Sequence, residues 1–125
     1  MIKSIASLFG KLIGSKAERD LAEIRPLVDK INVIYPTLSA LSNDELRAKT
    51  TSFRAAIQAA VQSERDEIAA LTARVSAEPD MDFNEKETLF DSIDKIKKKI
   101  HEKIEVKLLE ILPEAFAVMR ETARR

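Results

Sequence analysis

The sequence predicts an all-α fold, and three observations support this prediction. Only two glycines and four prolines occur in 125 residues, whereas the strong helix formers Ala, Leu, Glu, Lys and Arg are abundant. Apolar residues recur at spacings of three and four along most of the chain, which is the period of an amphipathic helix. Three segments also begin with a Ser or Asn that is followed three residues later by Glu, a typical helix start.

The first predicted element is an amphipathic helix in residues 1–14. Its charge is lopsided, because three lysines precede the first acid, Glu18. Apolar side chains beside lysines suit a helix that lies at a lipid surface, with weak and reversible binding of about 1 kcal/mol per basic residue. Docking on the rest of a larger protein is an equally open alternative. The residues predicted to associate with a membrane or channel are Ile2, Lys3, Ile5, Leu8, Phe9, Lys11, Leu12 and Lys16.

A second helix is predicted to begin at a capping box formed by Ser15 and Glu18. Pro26 interrupts its apolar face, because proline lacks an amide hydrogen and clashes with the preceding turn. We therefore expect either a kink one turn before Pro26 or a start delayed to that residue. Tyr35–Pro36 is predicted to end the helix, since the residue before proline is pushed out of the α region.

A long antiparallel helical hairpin is predicted to follow. Its first helix should run from Asn43 to about Val75, and its second should start at Asn84 after a turn at residues 78–82. The second helix of the hairpin is predicted to end at Leu112–Pro113. Pro113 is then predicted to begin a short last helix over residues 114–124. That helix reaches Arg125 without a cap, and we expect it to be truncated.

Composition excludes several classes of function. The only glycines, Gly10 and Gly14, do not form the G-x-x-x-x-G-K-[ST] loop that holds phosphates, so no nucleotide is expected to bind in that way. The absence of cysteine excludes disulfides and thiol chemistry, and no apolar run is long enough for a membrane span. Because 21 basic side chains balance 21 acidic ones, general nucleic-acid binding is not expected.

The remaining titratable residues do not form a predicted catalytic or metal site. His101 and Glu105 share a helix face, but Lys98 occupies the place where a helical metal site needs a carboxylate. The lysine-rich stretch 95–99 has no interleaved aromatic residues for stacking on bases. The glutamates are expected to be solvated on charged helix surfaces; they are Glu45, Glu64, Glu67, Glu85, Glu87, Glu102 and Glu110.

Two stretches resemble a known family. Residues 112–125 read LPEAFAVMRETARR and are similar to the LPEAFAVVREAARR segment of the SecA family of bacterial preprotein translocase motors. Residues 41–54 contain LSNDELRAKT and then Phe53-Arg54, and they resemble the family segment LSDEELRAKTxxFR. Shorter likenesses occur at residues 8–10 and 25–32, in the same order. Between the matches, residues 56–107 are expected to be an inserted helical hairpin.

The resemblance implies a motor that couples ATP hydrolysis, with magnesium, to the movement of preproteins through the SecYEG channel. It also implies that residues 1–14 contact acidic phospholipids and the channel from the cytoplasmic side of the cell membrane. The nucleotide motifs of the family lie downstream of LPEAFAVVREAARR, so no catalytic residue is assigned here and the chain itself is not expected to be an enzyme.

The resemblance divides the chain into a segment 1–14 and a helical portion 15–125, which together are expected to be an excised N-terminal fragment. The alternative is a free-standing helical hairpin that serves as a protein-interaction module. Self-association through an exposed Phe116, Val118 and Met119 face is also expected for a truncated chain.

Overall fold

The computed structural model describes residues 15–125, which form three α-helices and contain no β-strand. Helix α1 spans Lys16–Leu38, α2 spans Asn43–Ala77 and α3 spans Phe83–Arg124. The predicted all-α fold is therefore confirmed. The amphipathic helix predicted for residues 1–14 lies outside the described residues.

Local capping chemistry starts the first two helices as predicted. The Glu18 amide donates to Ser15 Oγ at 3.2 Å, and Glu18 Oε2 accepts from the Ser15 amide at 2.5 Å. Ser42 and Glu45 repeat this reciprocal pair at 3.2 and 2.7 Å. The backbone hydrogen bond from Ser42, and then that residue's side chain, lower the pKa of Glu45 below its usual value. Both boxes satisfy amides that have no partner within the helix.

The start of α3 differs from the prediction. The capping side chain is Asp82, whose Oδ2 accepts from the amides of Asn84 and Glu85 at 3.0 and 3.4 Å. Asn84 is already a helical residue, so the predicted start there is wrong. A carboxylate is an acceptor only and carries the charge that favours the positive end of the helix dipole, which explains why Asp82 takes this place.

Three prolines lie inside helices. Helix α1 begins at Lys16 and continues through Pro26 and Pro36, while α3 continues through Pro113. The predicted delayed start, the end at Tyr35–Pro36 and the break at Leu112–Pro113 are therefore wrong, and the separate last helix is part of α3. A proline removes one amide hydrogen, but the hydrogen bonds of the flanking turns persist when packing favours the helix. The kink near Pro26 stays a prediction.

One of two compact units is a helical hairpin, Ser42–Leu112. Ion pairs join Arg74 to Glu85 near the turn and Glu64 to Lys99 farther along, so the two helices run antiparallel as predicted. Their apolar stripes bury four side chains completely or nearly so: Leu46, Val61, Leu89 and Ile93.

The other unit combines Pro113–Arg125 with the described part of Met1–Leu41. Its buried residues are few, and one of them is charged: Leu38, Pro113, Ala117, Val118 and Glu121. Arg120 contacts Asn32, and Arg125 contacts Leu38 and Leu41, so the end of α3 runs parallel to α1. This unit has a small apolar core and a larger share of polar contacts.

Candidate functional site

Inside the hairpin, Glu64 lies at a buried position and faces two lysines of the opposite helix. Its side chain is 4% exposed, and Oε1 lies 3.2 Å from Lys99 Nζ and 2.5 Å from Lys103 Nζ. The other oxygen, Oε2, accepts from Ser63 Oγ at 2.9 Å. We call Glu64, Lys99 and Lys103 the hairpin clamp. The lysines remain partly exposed, so each can keep part of its hydration while it neutralises the carboxylate.

The hairpin clamp keeps its carboxylate ionised. Hydrogen bonding from Lys103, followed by that from Ser63, lowers the pKa of Glu64 to about 2 against the opposing effect of burial. The expectation that Glu64 is solvated is therefore wrong. A signal was present in the sequence, because Val61, Glu64 and Ile68 keep the three-four spacing of the apolar stripe and place the carboxylate in the seam.

A second buried carboxylate, Glu121, lies near the end of α3 and binds two arginines. Arg124 donates to both of its oxygens, from Nε to Oε2 at 2.9 Å and from Nη2 to Oε1 at 2.6 Å. Arg125 Nε donates to Oε1 at 2.9 Å. The bidentate geometry is the strong form of a charge-assisted hydrogen bond. We call Glu121, Arg124 and Arg125 the arginine cluster.

The arginine cluster also fastens the end of α1. Arg125 Nη2 donates to the carbonyl oxygen of Leu41 at 2.6 Å and to that of Leu38 at 3.5 Å. The last carbonyls of a helix have no partner inside it, and α1 has no basic residue in its own last turn. Arg125 therefore supplies, from the end of α3, the positive charge that the negative end of the α1 dipole favours.

In the arginine cluster, as in the hairpin clamp, the pKa of the buried carboxyl group is lowered. Hydrogen bonds from Arg124 and then from Arg125 lower the pKa of Glu121 to about 2, and Glu121 in turn raises the pKa of Arg124. A buried acid held ionised in this way accepts hydrogen bonds but cannot act as a general acid near pH 7. Both buried carboxylates are therefore suited to a structural role and not to general acid catalysis.

A third contact joins the same two helices. The guanidinium carbon of Arg120 lies 4.0 Å from the centroid of the Tyr35 ring, and Nη1 donates to Asn32 Oδ1 at 3.1 Å. A cation over a tyrosine face is attracted by the ring quadrupole. Because Asn32 and Tyr35 lie three residues apart on one face of α1, a single arginine contacts both.

The residues predicted to contact a membrane or channel are mostly outside the described range. Of that set only Lys16 is described, and it is the exposed first residue of α1. The other predicted residues are Ile2, Lys3, Ile5, Leu8, Phe9, Lys11 and Leu12, and their role stays a prediction.

Neither a metal site nor a membrane span is found from residue 15 onward. His101 and Glu105 are exposed, and this part of the chain has no group of three or more residues able to hold a metal ion. None of its helices is long and apolar enough to cross a bilayer. The face predicted to self-associate is only partly exposed, because Phe116 and Met119 are accessible whereas Val118 is buried.

A family model and the sequences of individual relatives indicate the same protein family. The family model described as the SecA DEAD-like domain matches residues 9–125. The chain is 46% identical over 115 residues to the protein translocase subunit SecA of Parabacteroides distasonis, and 47% identical over the same length to that of Porphyromonas gingivalis. Each alignment covers 92% of this chain but only 10% of the relative.

The protein translocase subunit SecA of Phocaeicola vulgatus is 43% identical over 116 residues, which cover 93% of this chain and 10% of the relative. No solved structure matches the chain. The chain thus spans about a tenth of the length of the curated relatives it matches. The hairpin lies within the matched span, and its description as an insertion stays a prediction. Since the family model covers nearly the whole sequence, the chain belongs to the SecA DEAD-like domain family.

Proposed function

We propose that this chain is the N-terminal helical region of an ATP-driven protein translocase that moves preproteins through the SecYEG channel. In this proposal it supplies membrane or channel association and structural support, while catalysis resides elsewhere in the longer protein. The observation that carries the proposal is the family match over residues 9–125. Membership in this family does not favour the alternative of a free-standing hairpin module.

The structural role is supported by where the family-like segment 112–125 lies. Its Ala117 and Glu121 are fully buried, and its Arg125 donates hydrogen bonds to carbonyls at the end of α1. The segment therefore acts as a joint between two helices. A joint of this kind, immediately before the predicted downstream nucleotide motifs, would hold α1 in place beside the catalytic domain.

Membrane association is proposed for residues 1–14, because they combine several apolar residues with two lysines, Lys3 and Lys11, and contain no acid. Each lysine contributes about 1 kcal/mol near an anionic surface. We expect Lys3→Glu with Lys11→Glu to reduce binding of the chain to phosphatidylglycerol-containing vesicles by more than tenfold at low salt, measured by co-sedimentation.

A matched control is Lys95→Glu with Lys98→Glu, which changes the net charge equally on the exposed hairpin. This control should retain most of the vesicle binding. Equal losses in the two double variants would show that net charge alone governs binding, and would contradict a specific role for residues 1–14.

ATP and magnesium are proposed as cofactors of the longer protein only. Residues 1–125 contain no phosphate-binding glycine loop, so isothermal calorimetry of this chain with magnesium-ATP should give no saturable heat. Saturable binding of magnesium-ATP to this chain would contradict the proposal that the longer protein binds nucleotide through residues outside 1–125. Acidic phospholipids, the SecYEG channel and preproteins are the proposed partners, at the cytoplasmic face of the membrane.

A further inference from the structure

Helix α1 carries an apolar stripe that is exposed to solvent. Leu21, Ile24 and Val28 are 57%, 52% and 43% exposed, and their spacing of three and four places them on one side of the helix. We propose that this α1 stripe is an intramolecular docking site for residues 1–14, and that docking competes with the binding of these residues to anionic lipid. The competition rests on the proposed function, because it requires that residues 1–14 bind lipid, whereas the docking does not.

Packing against α3 covers only the second half of α1. Arg120 contacts Asn32 and lies over the Tyr35 ring. Arg125 donates to the carbonyl of Leu38, whose side chain is buried. The α1 stripe lies in the turns before these contacts and remains exposed. Since an apolar stripe on a surface helix normally faces a packing partner, this part of α1 lacks the partner that its pattern predicts.

A shallow groove lies beside the first residue of the α1 stripe. It has a volume of about 300 Å³ and is lined by Glu18, Leu21, Ala22 and Arg25. Helices pack by inserting the side chains of one into the grooves of the other, and the small side chain of Ala22 leaves room for such an insertion. The two charged residues of the groove have opposite signs, so the groove does not favour a phosphate headgroup and suits an apolar side chain.

Residues 1–14 have an apolar pattern that fits the α1 stripe. Ile2, Ile5 and Phe9 repeat the spacing of three and four. A predicted helix over these residues that turns back at residues 13–15 would run antiparallel to α1. Both helices advance by about 1.5 Å per residue, so matching spacings stay in register over two turns. The pairs in that register are Phe9 with Leu21, Ile5 with Ile24, and Ile2 with Val28.

The connection between the two segments is short. Ser15, the N-cap of α1, has an extended backbone, and Gly14 precedes it. Glycine adopts turn conformations that other residues avoid, and antiparallel helices are commonly joined by about two to five residues. A short tether holds residues 1–14 at an effective concentration on the order of millimolar beside the α1 stripe. The chain's own segment is therefore favoured over a second copy at micromolar concentration.

Docking and lipid binding require the same apolar side chains of residues 1–14. Those that would pack on α1 are among those predicted to enter the lipid boundary, and they cannot do both at once. Lys3 and Lys11 lie off this apolar face, so they should strengthen lipid binding without contributing to docking. Substitutions on α1 and substitutions of the lysines therefore separate the two events.

The test of docking uses the full chain in solution without lipid. The sequence has no cysteine, so Ser4→Cys, which lies off the apolar face of residues 1–14, provides a single site for a nitroxide spin label. Broadening of amide signals in the NMR spectrum of the isotopically labelled chain then reports proximity to the label. Docking predicts stronger broadening at residues 24–28 than at residues 16–18, because the antiparallel register places residue 4 near residue 25. The opposite order, expected for a freely moving segment, would overturn the proposal.

A matched pair of variants tests the α1 stripe itself. Leu21→Gln with Ile24→Gln removes apolar side chains but keeps residues compatible with a helix, and the broadening at residues 24–28 should be lost. Val33→Gln is the control, because Val33 is 76% exposed on α1 outside the stripe, and it should leave the broadening unchanged. Circular dichroism checks that each variant keeps its helical content. Equal broadening in wild type and in Leu21→Gln with Ile24→Gln would contradict docking on this stripe.

Vesicle binding tests the competition. A docked population lowers the apparent affinity for lipid, so Leu21→Gln with Ile24→Gln should bind phosphatidylglycerol-containing vesicles about threefold or more tightly than wild type. Binding is measured by co-sedimentation at low salt, with Val33→Gln as the control that should match wild type. Unchanged or weaker binding in Leu21→Gln with Ile24→Gln would contradict the competition.

The lysine variant distinguishes failure of docking from failure of the proposed function. Lys3→Glu with Lys11→Glu should lose vesicle binding and keep the broadening at residues 24–28. If the broadening is absent from wild type while this variant still loses vesicle binding, the docking proposal falls and the proposed function stands. If the broadening is present but vesicle binding is unchanged by Lys3→Glu with Lys11→Glu, the membrane role falls and docking stands. Broadening caused by the label of a separate chain would assign the α1 stripe to a second copy and contradict the proposal.

Discussion

The hairpin and the other unit are stabilised by different interactions. In the hairpin, two long apolar stripes meet and a single buried carboxylate, Glu64, interrupts them. In the other unit only a few side chains are buried, and contacts made by Arg120 and Arg125 join α1 to the end of α3. Periodic burial thus holds the hairpin, whereas specific polar geometry holds the other unit.

The largest effect is expected from the apolar seam of the hairpin. Ile93 is 4% exposed, and truncation to alanine removes buried methyl groups and leaves a cavity. We expect Ile93→Ala to lower the free energy of unfolding by about 3 kcal/mol, measured by urea denaturation. Val106→Ala on the exposed face of the same helix is the control and should change it by less than about 0.5 kcal/mol. Similar losses in both variants would contradict a hairpin held by its seam.

Acid should weaken both units through their buried carboxylates. The pKa values of Glu64 and Glu121 are lowered from 4.5 to about 2 in the folded chain. A lowered folded-state pKa gives stability that is complete above about pH 4.5 and is lost as the pH falls towards 2. We therefore expect Glu64→Gln with Glu121→Gln to unfold at a lower temperature than wild type at pH 7.

The same double variant should also show a flatter dependence of the thermal midpoint on pH between 4.5 and 2, because it no longer has these two groups to protonate. Glu23→Gln with Glu102→Gln, at exposed positions, is the matched control and should follow the wild-type curve. An unchanged pH dependence in Glu64→Gln with Glu121→Gln would contradict the pairing described for both carboxylates.

The smallest effect is expected at Arg120. Lysine keeps the charge but loses the planar group that covers Tyr35 and reaches Asn32, so Arg120→Lys should cost about 0.5 to 1 kcal/mol. The control is Arg47→Lys, whose ion pair with Asp44 is exposed on both sides. That control should have no measurable effect. Equal losses of stability for Arg120→Lys and Arg47→Lys would show that the cation–π contact does not stabilise the chain.

Structural features that depend on residues close together in the sequence could be predicted. The capping boxes of Ser15 and Ser42 are confirmed because each needs only a Glu three residues later. Hairpin pairing is also confirmed, since two stripes of matching period leave few other ways to bury them. The start at Asp82 differs from the prediction because both Asp82 and Asn84 have side chains that can cap a helix, and the capping rule alone does not rank them.

The prolines and the buried carboxylates could not be predicted by local rules. Pro113 sits inside α3 because packing of its neighbours outweighs one missing hydrogen bond. Glu64 finds its lysines on another helix, and Arg125 finds carbonyls at the end of α1, so both depend on tertiary register. For Glu64 the sequence does contain one indication of an ion pair, because the three-four spacing of the apolar stripe places its charge at a buried position, where a partner is required.

Native-state hydrogen exchange can show whether an apolar seam stabilises the hairpin while the arginine cluster stabilises the other unit. In Ile93→Ala, protection should fall most for amides of the hairpin seam, residues 57–71 and 89–104. In Glu121→Gln it should fall most for residues 117–124, because Arg124 and Arg125 lose the ionised carboxylate that they share. A uniform loss of protection across both sets in both variants would show that the two units are not stabilised by separate interactions.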